Sequence, residues 1–438
     1  MSVLKKMSLK SWMQFLCCSL GAFAIFYVLF CRASFYGTFK EAMGVTDTQF
    51  GVCYAVYGWI AVVGYLIGGF VADRIAPRWL MFISFLTTGI CNFVLGLWPN
   101  YTVTLILYAV MGVSTTITFW DAMLKCVRIF GHSIGEENRA FTWYQFARGL
   151  GEMFISTVIV LIFTTFANHV AGLRFVVWFY AALLVVFAFI SLAVFDKGDA
   201  DEEETDKKND VKAEKIMSEE SVGKQTKRLL KDPDLWLVIA IAFGGYNIGS
   251  CIGSYLGDIA SSFGAAVGTV ALLGTLNAWL KPVGAVIANF ITKKKGPTWI
   301  LESVTWIYMV ILVAFLLIPR QPQYLVLYVV LLAFEIILTG AFRSQKYAQC
   351  REAGVTLQDT GNAYGIISTI IYSADAFMPM FIGMWLDKFG AIKAYNILFY
   401  VLLASGVLTL VTSIIFRRRN KARIASIIAA DAAAAKAK

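Results

Sequence analysis

Charged side chains inside long apolar stretches are the residues of this 438-residue chain that could do chemistry. The candidates singled out among them are Arg32, Arg148, Glu152, Lys281, Glu335 and Asp375. Ionisable groups are costly to bury in such surroundings, so each is a functional candidate. Arginine presents a planar fork of donors that suits a carboxylate, phosphate or sulfonate, and a buried carboxylate can take up and release a proton. These residue types predict anion binding and proton transfer.

Catalytic and metal sites are not predicted. The chain has no nucleophile motif and no Walker A sequence. Its eight cysteines are scattered without a Cys-x-x-Cys pair, and only His132 and His169 could join them as metal ligands. We therefore expect neither an enzyme nor a bound cofactor or metal ion.

The composition shows which elements must position these residues. Hydrophobic residues make up 59% of the chain and charged residues 15%, which excludes a set of soluble domains. Apolar stretches recur at the roughly 20-residue length that crosses about 30 Å of hydrocarbon. They are continuous rather than alternating, so helices are favoured over barrel strands. The sequence predicts an all-α membrane protein with twelve transmembrane helices, surrounded by lipid.

Lysine and arginine are distributed unevenly between the predicted loops. If the N-terminus is inside, most of them lie on the inner side, as in cytoplasmic loops. This predicts a multi-pass protein of the cytoplasmic (inner) membrane with both termini in the cytoplasm. The net charge of +10 reflects the same asymmetry, and no folded basic domain is present to bind nucleic acid.

A charged segment divides the chain into two similar parts. We predict an N-terminal six-helix bundle at 1–195, a charged cytoplasmic linker at 196–233, a C-terminal six-helix bundle at 234–416 and a basic cytoplasmic tail at 417–438. Weak internal repetition supports the division: PRWLM, early in the first part, recurs as PTWIL in the second, and Glu152 aligns with Asp375.

The segment between the second and third apolar stretches reads GGFVADRIAPR. It resembles the signature loop of the major facilitator superfamily, in which a glycine and an apolar residue precede an Asp-Arg pair and a further basic residue. Four residues match this pattern: Gly69, Asp73, Arg74 and Arg78. Ala76 stands where glycine is usual. The resemblance implies two pseudo-symmetric six-helix bundles with substrate bound at the midplane between them. It also implies that Asp73, with Arg74 and Arg78, forms a cytoplasmic gate.

The order D-R-x-x-P-R, with YVLFCR before it in the first stretch, resembles most the organophosphate and organic-anion branch of that superfamily. In that branch a span-one arginine grips the anionic group of the substrate, and Arg32 lies at that place. The phosphate carriers of the branch have a second arginine in span seven. Here span seven has Tyr246 and Asn247 and no arginine.

Arg32, Lys281, Tyr246, Asn247 and Arg148 form the predicted substrate-binding set. Snorkelling toward the outer interface is the alternative explanation for Arg32. Lys281 is the second cation, because the following Pro282 can loosen the helix and open a local cavity.

The predicted proton-coupling residues are Glu152, Asp375 and Glu335. Arg148 and Glu152 are four residues apart, so they could also form an internal pair. Span seven has Gly245, Gly249, Gly253 and Gly257 at four-residue spacing, which predicts either a sliding contact or close static packing.

The predicted function is secondary active transport of a small organic anion by alternating access. The anion would be a carboxylate, phosphate ester or sulfonate, carried by exchange for a counter-anion or by symport with a proton. We expect a monomer. The alternative is a transporter-like membrane sensor of an organic anion that signals through the linker or tail. Transport is favoured because no catalytic signalling domain accompanies the spans.

Overall fold

A computed structural model describes residues 9–133, 137–195, 222–356 and 359–436, and within these ranges the chain is helical with no strands. The first eight helices are α1 Leu9–Phe30, α2 Arg32–Met43, α3 Asp47–Arg74, α4 Pro77–Leu95, α5 Tyr101–Val113, α6 Trp120–Ser133, α7 Glu137–Thr164 and α8 His169–Val194. The next eight are α9 Val222–Leu230, α10 Pro233–Ser261, α11 Val267–Lys295, α12 Pro297–Leu317, α13 Leu325–Gln345, α14 Gln349–Glu352, α15 Thr360–Arg419 and α16 Lys421–Lys436. Residues 196–221 of the predicted linker lie outside the described ranges.

Local signals in the sequence set several helix starts. Thr46 caps α3 in a capping box: its hydroxyl accepts from the Gln49 N–H at 3.1 Å, and the Gln49 side chain accepts from the Thr46 N–H at 3.0 Å. Asn100 caps α5 through the Val103 N–H. Prolines occupy the first position of α4, α10 and α12, where a missing N–H is harmless.

Three interruptions divide the helical rods. Cys31 separates α1 from α2, so the first predicted span is two helices. A π-helical segment at Ser114–Phe119 joins α5 to α6. The 60-residue α15 bends at Gly390, whose φ of 72° lies in the left-handed region that glycine adopts without strain. The first two interruptions lie inside stretches that the sequence predicts as single spans, whereas Gly390 lies between the last two predicted spans.

Among the described residues, ten helices are long and apolar enough to cross a membrane. The helix α15 is one of the ten but comprises two spans, one on each side of Gly390. The helix α3, with 28 residues, is of comparable length. Counted in this way, the described part of the chain has the twelve transmembrane helices expected.

The chain forms two compact units. The first unit comprises Met1–Glu214 with Val267–Thr275 and Pro379–Gly383, and the second comprises Lys215–Ala266, Leu276–Met378 and Met384–Lys438. In the first unit α4 packs against α8, and α1 packs against α7 and α8. In the second unit α13 packs against α10 and α12.

The small-residue stripe of α10 packs inside its own unit. A Cβ added at Gly245 would lie 2.0 Å from the Phe342 ring, and one at Gly249 would lie 2.5 Å from the Thr339 hydroxyl. Both neighbours belong to α13. These glycines therefore allow the close approach of α10 and α13, which is the static-packing interpretation of the stripe.

Candidate functional site

Arg32 begins α2, immediately after the break at Cys31. Its side chain is only 5% exposed, and its guanidinium carbon lies 4.3 Å from the centre of the Tyr54 ring on α3. An arginine that snorkels to an interface would be exposed, so burial argues against that explanation. The Tyr54 ring offers its negative face to the cation.

Glu152 lies half-buried on α7 of the same unit. It interacts electrostatically with Tyr27 and Tyr180, whose rings stack with centroids 4.1 Å apart. Arg148 is also half-buried, and no ion pair within 4.0 Å joins it to Glu152, both residues being described. The internal pair suggested by their spacing is therefore absent.

Asp375, which aligns with Glu152 in the sequence, lies on α15 of the second unit. Its two carboxylate oxygens accept hydrogen bonds from the Tyr246 hydroxyl and the Ser250 hydroxyl, each at 2.6 Å. Both donors lie on α10. Hydrogen bonds to a carboxylate are short and strong, so α10 and α15 are held together at this point.

Lys346 follows the last residue of α13 and is only 4% exposed. Its Nζ donates to the Tyr372 hydroxyl at 3.0 Å. It also lies 4.6 to 4.9 Å from the ring centres of Tyr246, Tyr347 and Tyr372. Within the ranges that the structure covers, no carboxylate oxygen lies within 4.0 Å of this ammonium group.

Arg343 lies one turn before Lys346 on α13. Its guanidinium carbon is 5.1 Å from the Tyr246 ring centre, and its side chain is exposed. The described residues provide it with no ion pair. We call the following set the tyrosine–lysine cluster: Tyr246, Ser250, Arg343, Lys346, Tyr347, Tyr372 and Asp375.

Glu335 is fully buried on α13, two turns before Arg343. The Thr339 hydroxyl donates to its Oε1 at 2.8 Å and shares a 2.9 Å hydrogen bond with Tyr308. No side chain of the described ranges donates to its Oε2. Positions 335, 339, 343 and 346 lie on one face of α13, which brings a buried carboxylate into line with the two cations of the cluster.

The structure places the other predicted binding residues differently. Lys281 is half-buried on α11 and interacts electrostatically with Glu335. The expected opening at Pro282 is wrong, because α11 runs without a break from Val267 to Lys295. Asn247 donates to the Ser405 hydroxyl at 3.2 Å and accepts from the Cys251 thiol at 3.3 Å, so it serves packing inside the second unit.

The side chain of the predicted gate residue Asp73 lies outside the described residues. Arg74 is exposed at the end of α3. Arg78 donates to the Phe195 carbonyl at 3.4 Å and stacks near Trp79 at 5.2 Å. In the first unit Arg78 thus ties the start of α4 to the end of α8.

Sequence reasoning missed Arg343 and Lys346 as site residues. Arg343 lies in the last turn of an apolar span and Lys346 just after it, so both count as loop cations in the charge pattern. Their spacing from Glu335 is the signal that could have identified them, since it continues one helical face beyond the apolar core of the span.

A model of the Major Facilitator Superfamily matches residues 18–345. The chain belongs to the Major Facilitator Superfamily. It is an integral, multi-pass membrane protein of a transporter family, and the resemblance of the signature loop is confirmed at this level. The organic-anion branch stays a prediction.

Two relatives in Escherichia coli (strain K12) match over almost the whole length. The inner membrane protein YihN is 26% identical over 430 residues, which are 97% of this chain and 99% of the relative. The inner membrane protein YqcE is 21% identical over 433 residues, with the same two coverages.

Solved structures show the same fold at low identity. The nucleoside transporter NupG matches with a TM-score of 0.72 and 12% identity, covering 93% of this chain and 99% of that chain. A D-xylose-proton symporter matches with a TM-score of 0.69 and 13% identity, covering 92% of this chain and 97% of that chain. Both likenesses concern the major facilitator fold alone.

Proposed function

We propose that this superfamily member is a secondary active transporter of a small organic anion. The observation that carries the proposal is Lys346, a buried amine whose direct contacts within the described residues are uncharged hydroxyl and aromatic groups. A buried charge is costly unless an opposite charge pairs with it. An anionic substrate supplies that charge, and the exposed Arg343 adds donors for it.

Arg32 gives the first unit a comparable feature. Like Lys346, it is a buried cation against a tyrosine ring. We propose Arg32, Arg343 and Lys346 as the cations that recognise the substrate. Tyr246 adds a hydroxyl next to Asp375. Arg148, Lys281 and Asn247 complete the proposed substrate-binding set.

Transport would be coupled either to exchange of a counter-anion or to proton symport. For symport, we propose that Glu152, Glu335 and Asp375 carry protons. Glu335 is the most buried of the three, and one of its oxygens receives no donor from the described residues. We also propose the inner-membrane orientation with cytoplasmic termini, a linker at 196–233, the gate at Asp73, Arg74 and Arg78, and a monomeric protein.

Counterflow in proteoliposomes tests the proposal. Vesicles that contain the purified protein are loaded with carboxylates, sugar phosphates or sulfonates, with and without a pH gradient. We expect at least one class to drive uptake of its labelled form. Uptake driven only by uncharged sugars or nucleosides would contradict an anion carrier, and binding without any flux would favour a sensor.

The same vesicles separate the coupling modes. A carboxylate that carries the coupling proton is needed for gradient-driven uptake but not for counterflow, which moves no net proton. If Glu335 is that carboxylate, Glu335→Gln should lose gradient-driven uptake and keep counterflow. Equal loss of both would assign Glu335 to structure or to substrate binding.

A further inference from the structure

In the tyrosine–lysine cluster, few groups stabilise the charged form of the Lys346 amine. The Nζ of Lys346 has one hydrogen bond, to a neutral tyrosine hydroxyl, and three tyrosine rings around it. Aromatic faces attract an ammonium group, but they do not replace the water or the carboxylate that a buried charge requires. The geometry therefore favours an amine that changes its protonation state.

The charged groups facing Lys346 come from two helices. Arg343, on α13, adds a like charge. Asp375, on α15, adds an opposite charge, but more than 4.0 Å away, and its oxygens already accept from Tyr246 and Ser250 on α10. Tyr347 and Tyr372 complete the surroundings as neutral groups, and Tyr347 is hydrogen-bonded to Ser368 at 2.6 Å.

Together, these surroundings lower the pKa of the Lys346 amine. Lys346 lies one residue beyond the apolar span at 322–345. Burial, followed by the charge of Arg343, lowers the pKa of Lys346 to about 7, and Asp375 opposes this only in part. Near neutral pH, a modest change in the surroundings is then enough to move the amine between its two forms.

We propose that Lys346 links anion binding to proton uptake: it is a neutral amine when the cluster holds no anion, and it takes one proton when an anionic group binds against it and Arg343. The proton comes from the water on the side from which the anion enters, and it leaves with the anion on the other side. The proposal rests on the proposed function, because it requires an anionic substrate. It moves the substrate-linked proton from the carboxylates to an amine that touches the substrate.

The linkage has a direct consequence for transport. An anion that binds only the protonated form has an apparent affinity reduced by the protonated fraction, so its affinity falls about tenfold per pH unit above the pKa. A monovalent anion and one proton would cross together without net charge. Arginine at position 346 stays protonated at all working pH values and removes the linkage.

The protonation of Lys346 can be measured without knowledge of the substrate. Purified full-length protein is exposed to trace acetic anhydride from pH 5 to pH 10, and acetylation of Lys346 is quantified by peptide mass spectrometry against a lysine peptide in the same reaction. We expect half-maximal reactivity near pH 7 for Lys346, compared with about 10.4 for an ordinary lysine. If Lys346 becomes reactive only at the pH at which the reference lysine becomes reactive, the proposal is overturned.

The linkage is tested by counterflow of acetate, glucose 6-phosphate and methanesulfonate between pH 6 and pH 9. Methanesulfonate stays ionised throughout, so its own titration does not contribute. We expect the apparent affinity of the wild type to fall with rising pH and that of Lys346→Arg to stay constant. The matched control Lys227→Arg, at an exposed position of α9 outside the cluster, should keep the wild-type slope. A Lys346→Arg variant with the wild-type slope contradicts the linkage.

The two experiments separate failure of this inference from failure of the proposed function. If the wild type transports none of the carboxylates, sugar phosphates and sulfonates tested, the proposed anion transport is wrong. This holds whatever the pH at which acetylation of Lys346 is half-maximal. If the wild type moves an anion but the slope survives in Lys346→Arg, transport stands and the role of Lys346 is wrong.

Discussion

At the scale of single residues, the candidate site depends on what compensates its buried cations for the loss of water. Arg32 and Lys346 are both nearly inaccessible, and both lie against tyrosine rings. Removing water from a cation is costly, and a ring face offsets only part of that cost. Lys346 therefore suits a ligand that brings negative charge, and Arg32 is a buried cation whose planar donors suit the same kind of ligand.

Arg32 should contribute strongly to anion affinity. Arg32→Lys keeps the charge but loses the bidentate fork, and Arg32→Ala loses both. One lost charge-assisted hydrogen bond corresponds to about 1.5 to 3 kcal/mol, so we expect Arg32→Ala to weaken binding by roughly tenfold to more than a hundredfold. Anion competition for counterflow measures the effect. Arg418→Ala removes an exposed cation and serves as the control. Unchanged affinity in a correctly inserted Arg32→Ala would remove Arg32 from the site.

The sequence predicted some of these residues better than others. Asp375 was predictable because it aligns with Glu152 inside an apolar span, and the structure gives each of them tyrosine neighbours. Lys346 was not, because a lysine at the end of a span has the same sequence pattern whether it faces solvent or folds back among tyrosines. Only the packing of α10, α13 and α15 distinguishes the two.

At the scale of elements, short helices secure one end of the second unit. Glu352, in α14, accepts from the backbone N–H of Thr298 at 3.1 Å and from the Thr298 hydroxyl, at the first turn of α12. A carboxylate at a helix N-terminus satisfies unpaired donors and complements the helix dipole. Burial nevertheless raises the pKa of Glu352 above its ordinary value of 4.5, and the hydrogen bonds from Thr298 offset this only in part.

Glu352 should therefore make stability depend on pH. A folded-state pKa above the unfolded value means that its contribution is most favourable below pH 4.5 and is lost as pH rises through the folded pKa. Glu352→Gln keeps an acceptor for Thr298 and removes the buried charge. We expect its thermal stability to decline less than that of the wild type between pH 4 and pH 8, as measured by thermal unfolding in detergent. The exposed Glu41→Gln should retain the wild-type decline, and an equal decline in Glu352→Gln would disprove the assignment.

The helix α9 is fixed to the start of α15 by Asp359. The carboxylate of Asp359 accepts from Gln225 at 2.6 Å, Arg228 at 2.7 Å and Thr356 at 2.7 Å. Its burial would raise its pKa, but the hydrogen bonds from Thr356, Gln225 and Arg228 and the charge of Arg228 outweigh burial and lower the pKa. The contact should thus persist at pH values below the ordinary aspartate range.

Removing the negative charge of Asp359 should loosen the attachment of α9 to the start of α15. Arg228 is half exposed, so its ion pair alone contributes about 1 kcal/mol or less. We expect Asp359→Asn to speed amide hydrogen exchange across 222–230 by roughly fivefold, the equivalent of about 1 kcal/mol. Lys224→Ala, at an exposed position of the same helix, should leave exchange unchanged. Equal exchange rates in Asp359→Asn and the wild type would show that α9 is held by other contacts.

At the scale of the whole molecule, hydropathy predicted the all-helical membrane architecture well. Length and continuity of the apolar stretches are enough to define membrane helices, because lipid leaves few alternatives. The interruption at Cys31 escaped prediction, since an apolar span has the same composition whether it is straight or broken. Gly390, in contrast, lies between the last two predicted spans. The continuity of α11 through Pro282 escaped prediction for a related reason: neighbouring helices can hold a proline-containing helix together.

The orientation is a separate prediction of the charge pattern. Single cysteines introduced at Lys293 to Lys295 or within 196–233 should not react with an impermeant thiol reagent in intact cells, and should react after the cells are opened. A cysteine introduced at Lys388, on the opposite side in the predicted topology, is the positive control. Labelling of 293–295 in intact cells would reverse the orientation.

The central claim is that negative charge on the substrate is what this protein recognises. The most direct measurement is counterflow of the best-transported carboxylate in competition with the same carboxylate and with its uncharged amide, which has almost the same shape. We predict that the carboxylate competes at its own affinity, whereas the amide competes at least a hundredfold more weakly, equal to about 2.7 kcal/mol. Equal competition by the two compounds would show that the charge is not recognised and would contradict the account.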